Sequence, residues 1–163
     1  MNKADISLIL SVLAVAIAIW SAYNQYKQRK DMTEEKIKLE LKVLSSDGGY
    51  LDPMSLRMLS GVEERQQLNK LGILVTNIGF STVRLMEVGY HDYDLPLYAT
   101  FPEEDSKILT AGQQILLALD QKTLSITNQL KGDIEFSNGD AKIFAITTKE
   151  KRFEFPAIVK VAK

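Results

Sequence analysis

The only histidine of the chain, His91, stands in the run His91-Asp92-Tyr93-Asp94, which puts an imidazole base beside two candidate orienting carboxylates. A catalytic imidazole needs such a partner to fix its tautomer. Between two strands, however, a run of this kind reads more simply as a solvated polar turn. The acidic run Glu103-Glu104-Asp105 could take a hard cation together with Asp92 or Asp94, yet its spacing matches no calcium loop, so a solvated loop is expected. A third set offers binding chemistry. Arg57, Arg65, Lys70 and Arg84 fall in or beside expected strands, with Tyr90, His91 and Tyr93 near a strand end. Guanidinium groups pair with phosphate, and aromatic rings stack on bases, so the set suits a phosphorylated nucleobase ligand. The plainer alternative is scattered surface charge.

The sequence holds no phosphate-binding Gly-x-x-x-x-Gly-Lys, no Gly-x-Ser-x-Gly, no His-Glu-x-x-His and no dinucleotide fingerprint. There is no cysteine, which removes disulfides, thiolate catalysis and thiolate-bound metals. Neither an enzyme nor a cofactor or metal site is expected. With 20 basic and 21 acidic residues the chain is nearly neutral, and residues 37–163 carry 15 basic against 17 acidic. That balance argues against a long nucleic acid as partner, because such binding needs a broad basic surface.

These groups must be positioned by the elements around them. Residues 6–26 contain no charge, and residues 6–23 are apolar enough to predict one membrane-spanning helix with the bilayer as partner. Trp20, Tyr23 and Tyr26 follow, as amphipathic rings do at the headgroup level. A cleaved signal peptide is the competing reading, since Ala14-Val15-Ala16 and Ala16-Ile17-Ala18 have the small-x-small form, although both lie inside the apolar run. Lys3 precedes the helix, whereas Lys27, Arg29, Lys30, Lys36 and Lys38 follow it. The positive-inside rule then predicts a single-pass protein of the inner membrane, N-terminus outside and C-terminal domain cytoplasmic. Ser7, Ser11, Ala14, Ala18 and Ala22 form a stripe of small residues that would allow close helix approach in a homo-oligomer. Residues 24–36 lack Gly and Pro and extend the helix as a polar stalk.

From residue 37 onward the pattern changes to period two. Ile37-Lys38-Leu39-Glu40-Leu41-Lys42-Val43 alternates without error and predicts a half-buried strand. Leu71, Ile73 and Val75, the turn Asn77-Ile78-Gly79, and then Val83, Leu85 and Val88 predict a hairpin. Pro96 places a short strand at an edge, and Pro156 does the same near the C-terminus. Asn138-Gly139 predicts a second hairpin between Ile134 and residues 141–146. Residues 52–61 fit either a short helix or a strand, and residues 121–130 suggest one or two helical turns. The expected organisation is a transmembrane helix over residues 1–23, a stalk over 24–36, and a mainly β domain over 37–163. Seven to eight short strands suggest a β-sandwich.

Four segments carry a resemblance: Ile73-Leu74-Val75-Thr76-Asn77-Ile78-Gly79, Val83-Arg84-Leu85-Met86-Glu87-Val88-Gly89, Leu109-Thr110-Ala111-Gly112-Gln113 and Asp133-Ile134-Glu135-Phe136-Ser137-Asn138-Gly139-Asp140. Together they resemble the immunoglobulin-like sandwich behind single N-terminal membrane helices in many small prokaryotic and phage proteins. The proline usual after the Asn-x-Gly turn is replaced here by Ser81-Thr82. The overall layout is similar to the small membrane effectors of type III CRISPR systems, whose cytosolic domain senses cyclic tetra-adenylate. That similarity implies a ligand-sensing antiviral effector acting through an oligomer of membrane helices. The other expectation is an anchored protein-interaction scaffold, with strand edges near Pro96 and Pro156 open to partners.

Overall fold

Residues 3–45, 49–51, 70–92, 96–119, 134–135 and 140–160 are described in a computed structural model, with the side chains of the first helix described from Leu10 onward. That helix, α1 (Lys3–Thr33), runs for 31 residues without a break. No Gly or Pro interrupts it, and its first half is built mostly from Ala, Leu, Ile and Val. Its end is set chemically: the Thr33 hydroxyl donates to the carbonyls of Arg29 (3.0 Å) and Lys30 (3.2 Å), and the Glu34 N–H closes the last turn onto Lys30 at 2.9 Å. These bonds occupy carbonyls that a helix end leaves without partners. Every side chain from Leu10 to Tyr23 is exposed, Trp20 by 68%, so no part of the β domain covers this apolar surface. Among the described residues no helix is long and apolar enough to cross a membrane.

The remainder is mainly β, in strands β1 (Ile37–Leu44), β2 (Lys70–Asn77), β3 (Val83–His91), β4 (Leu97–Tyr98), β5 (Ile108–Leu109), β6 (Gln114–Ala118), β7 (Ile134–Glu135), β8 (Lys142–Thr147), β9 (Arg152–Pro156) and β10 (Ile158–Val159). All pairings are antiparallel: β1-β2-β6 form one sheet, β4-β3-β8-β9 a second with β5 against the start of β3, and β7 with β10 a small pair. The ten strands among the described residues exceed the seven to eight expected, because four of them are only two residues long.

A single core draws on both larger sheets. Ile37, Leu39, Leu41 and Val43 bury one face of β1, as the alternation predicts, and meet Ile73 and Val75 of β2, Val83 and Leu85 of β3, and Ile143 and Ala145 of β8. In β3 the buried side chains stand at 83, 85, 88 and 90, with Gly89 buried between the last two, which breaks period two. A register shift between Leu85 and Glu87 absorbs the extra residue and returns Val88 and Tyr90 to the core side.

Among the described residues, neither expected hairpin pairs its two strands. β2 pairs with β1 and β6, while β3 pairs with β4, β5 and β8, so the turn after Asn77 crosses between sheets instead of reversing within one. The buried Asn77 side chain makes that arch. Its Nδ2 donates to the carbonyls of Ser81 (2.8 Å) and Leu109 (2.9 Å), and its Oδ1 accepts from the Gly79 N–H at 3.0 Å. Likewise β7 pairs with β10, and β8 with β3 and β9, in place of a β7–β8 ladder; Asn138 and Gly139 lie outside the described residues. The alternatives for residues 52–61 and 121–130 also fall outside them.

Candidate functional site

β1 lies at the edge of its sheet and β9 at the edge of the other. Where these edges meet, a groove of about 450 Å³ opens between residues 38–43 on one side and Phe155, Pro156, Ile158 and Lys160 on the other, with Leu51 closing one end. Its apolar lining and its polar rim both come from simple alternation: odd positions of β1 enter the core, while Lys38, Glu40 and Lys42 face away from it. Lys160 adds a third ammonium group, so lysines outnumber the single carboxylate.

The rim is electrostatically organised. Glu40 pairs with Lys38 and, at 2.8 Å, with Lys42, and Lys42 also lies 5.3 Å from the centre of the Tyr50 ring. Hydrogen bonds from Lys38 and then Lys42 pull the Glu40 carboxyl from 4.5 down to about 2. A carboxyl depressed in the folded state contributes stability above its ordinary value and loses it as pH falls through the folded value. The contribution of Glu40 is therefore complete above about pH 4.5 and disappears toward about pH 2. Glu40→Gln is expected to flatten the acid limb of the unfolding curve within that window, with a loss of stability at neutral pH that vanishes near pH 2 and stays below about 1 kcal/mol because the pair is largely solvated. Urea midpoints between pH 2 and pH 6 check this.

The other end of β1 runs directly into the helix. Residues 34–36 form a joint in which Glu35 is only 4% exposed. The Thr147 hydroxyl donates to Glu35 Oε2 at 2.7 Å, and Lys149 Nζ lies 3.4 Å from Oε1. Lys151 donates to the Glu35 carbonyl at 2.9 Å and sits 3.6 Å from the Glu34 carboxylate. On the other flank the Ser81 hydroxyl donates to the Glu34 carbonyl (3.2 Å), and the Ile78 N–H to the Lys36 carbonyl (3.0 Å). Gly79 is packed so closely that a Cβ there would stand 3.1 Å from the Glu34 carbonyl oxygen and 3.2 Å from the Lys36 nitrogen. Lys36 also pairs with Asp31 in the last turns of α1 at 3.1 Å, which raises its ammonium above the ordinary value. The helix end is thus held from both sides, by the β2–β3 arch and by the β8–β9 turn.

No family model matches this chain, and no curated protein does either. What the protein does has to follow from its own geometry.

The binding residues expected from the sequence are spread out. Arg84 and His91 stand near opposite ends of β3, both exposed, and Lys70 opens β2 in the other sheet. Tyr90 is in the core, its hydroxyl donating to Asp92 Oδ2 at 3.3 Å. Arg57, Arg65 and Tyr93 lie outside the described residues. The acidic run leads into a short 3-10 turn, Asp105–Lys107, capped by Glu104, and Lys107 pairs with Glu104 at 2.9 Å and lowers its carboxyl. No group of three or more His, Asp or Glu residues among those described could hold a metal ion. Of the small-residue stripe, Ser11, Ala14, Ala18 and Ala22 are exposed along α1, and the Ser7 side chain is outside the described set.

Sequence reasoning passed over Lys38, Lys42 and Lys160. The first two were legible as the polar face of an alternating strand, which ordinarily means solvent. That they border a groove depends on residues 155–160 arriving beside β1 from more than a hundred positions away.

Proposed function

We propose that the protein is a non-enzymatic, single-pass membrane sensor or effector whose β domain, an immunoglobulin-like sandwich, binds a small anionic ligand in the groove beside β1. The observation that carries the proposal is continuity. One covalent path leads from the groove-lining strand through the clamped residues 34–36 into a helix whose apolar side chains no protein surface covers. An apolar helix exposed on all sides in water is strongly unfavourable, and lipid or neighbouring helices are the environments that relieve it. The described side chains begin at Leu10, and the sequence adds the uncharged residues 6–9, which brings the apolar segment to the length of a bilayer crossing. The basic residues after the helix support a cytoplasmic position for the domain, and the small-residue stripe supports a homo-oligomer of helices. The excess of lysine at the groove supports an anionic ligand, with a cyclic oligonucleotide as the chemistry to try first.

Three measurements test the proposal. The full chain should stay with membranes after alkaline extraction, and a reporter fused at Lys163 should be active only in the cytoplasm. In detergent, a cyclic oligoadenylate should raise the melting temperature of the wild-type chain, and the Lys38→Glu, Lys42→Glu double variant should abolish that shift, because occupancy of the folded state alone stabilises it. Release from membranes removes the anchor. A membrane-bound chain that no cyclic oligonucleotide stabilises leaves the scaffold as the working function.

A further inference from the structure

We infer that the β2–β3 arch is a second membrane contact, with Ile78 and Phe80 entering the interfacial zone of the bilayer. Phe80 is 75% exposed, more than any other described large apolar side chain, and Ile78 is 58% exposed. Neither is a loose loop residue. Gly79 packs on residues 34 and 36, and the Ser81 hydroxyl bonds the Glu34 carbonyl, so both neighbours of Phe80 grip the joint. With residues 79 and 81 held against the end of α1, the ring between them is turned outward. Asn77 holds the arch from inside the domain, so this outward display is built in.

The position of the arch selects the partner. It sits at the C-terminal end of α1, seven residues beyond Tyr26, which corresponds to about 10 Å of helix. The polar zone on each side of a bilayer is several ångströms deep, and spanning helices are commonly tilted, so an arch at this height reaches headgroup level. The lysines of the joint are charge-compensated, Lys149 lying 3.4 Å from the Glu35 carboxylate and Lys151 3.6 Å from that of Glu34, so the apolar side chains at 78 and 80 define the contact. An exposed aromatic ring and an aliphatic side chain flanked by compensated polar groups suit the boundary between headgroups and acyl chains. A bilayer is also the one surface that α1, lying in it, would hold against this end of the domain.

The inference rests on the membrane reading of α1, and the experiment separates the two. The chain has no cysteine, so Phe80→Cys, Ile78→Cys, Ala16→Cys, which lies off the small-residue stripe, and Lys142→Cys each accept one nitroxide label. Each full-length variant is reconstituted in phosphatidylcholine vesicles containing phosphatidylglycerol, and collision with oxygen is compared with collision with a water-soluble nickel complex. Labels at 16, 78 and 80 should shift toward oxygen, while the label at 142, at the far end of β8, stays with nickel. If 16 reports lipid but 78 and 80 match 142, the arch does not touch the bilayer and the anchor stands. If 16 itself is aqueous, the membrane reading falls and this inference with it. Dipolar broadening at 80 with low oxygen access means a second copy covers the arch, which also overturns it.

Discussion

Replacing Asn77 with alanine is expected to cost about 3 to 5 kcal/mol of stability, since it strands two buried backbone groups and a third that is part-buried, and each buried one costs roughly 1–3 kcal/mol when left unpaired. The groups are the carbonyls of Ser81 and Leu109 and the N–H of Gly79. Two of them belong to the β2–β3 arch and the third to β5. One side chain therefore ties the crossing between the two sheets together. Asn77→Asp is expected to be no better, because it turns a double donor into an acceptor facing two carbonyl oxygens. For a domain of this size the loss corresponds to a fall in melting temperature of about 10 °C or more. Guanidinium unfolding of the full chain in detergent, followed by far-ultraviolet circular dichroism, measures it. A loss below about 1 kcal/mol would show that the arch is held by its backbone alone.

The second large effect is expected at the joint. Thr147 is fully buried, and its hydroxyl bonds a carboxylate that is itself almost fully buried. Thr147→Val keeps the shape but removes the donor, at a cost of about 1.5–3 kcal/mol, the range for a hydrogen bond to a charged group. Glu35→Ala leaves the hydroxyl unpaired and frees Lys149, whose solvation softens the loss, so about 1–3 kcal/mol is expected. Because the two side chains act on each other, the double variant should lose less than the sum of the singles, by about 0.5–3 kcal/mol. A strictly additive cycle would mean that the contact contributes nothing to the clamp. The same variants probe transmission: with the clamp cut, a ligand in the groove should still raise the melting temperature but no longer change cross-linking between helices. Ligand-dependent cross-linking that survives in Glu35→Ala would place the signal elsewhere.

Much of the local structure was legible because it is governed by neighbours along the chain. A run without Gly, Pro or charge has few alternatives to a helix, and α1 extends from Lys3 to Thr33 through both the apolar segment and most of the stalk. Perfect alternation from Ile37 buries one face of β1 in the predicted phase. Pro96 precedes an edge strand, because an imide nitrogen cannot donate to a ladder. The turn signals were legible too, but only as turns. Asn77-Ile78-Gly79 changes the direction of the chain; whether the next strand returns to the same sheet depends on what the asparagine amide can reach, and it reaches Leu109, thirty-two residues away.

The sequence by itself determined the long helix, the β character of the chain after it, the place where one gives way to the other, and the lack of known catalytic motifs, since each follows from spacing within about ten residues. Only the tertiary structure decided which strands are neighbours, that β1 faces residues 155–160 across a groove, and that Glu35, one of several charged residues after the helix, is the one buried between Thr147 and Lys149. The physical reason is range. Periodicity records which face of an element avoids water, whereas a groove or a buried carboxylate exists only once distant segments have come together to exclude that water.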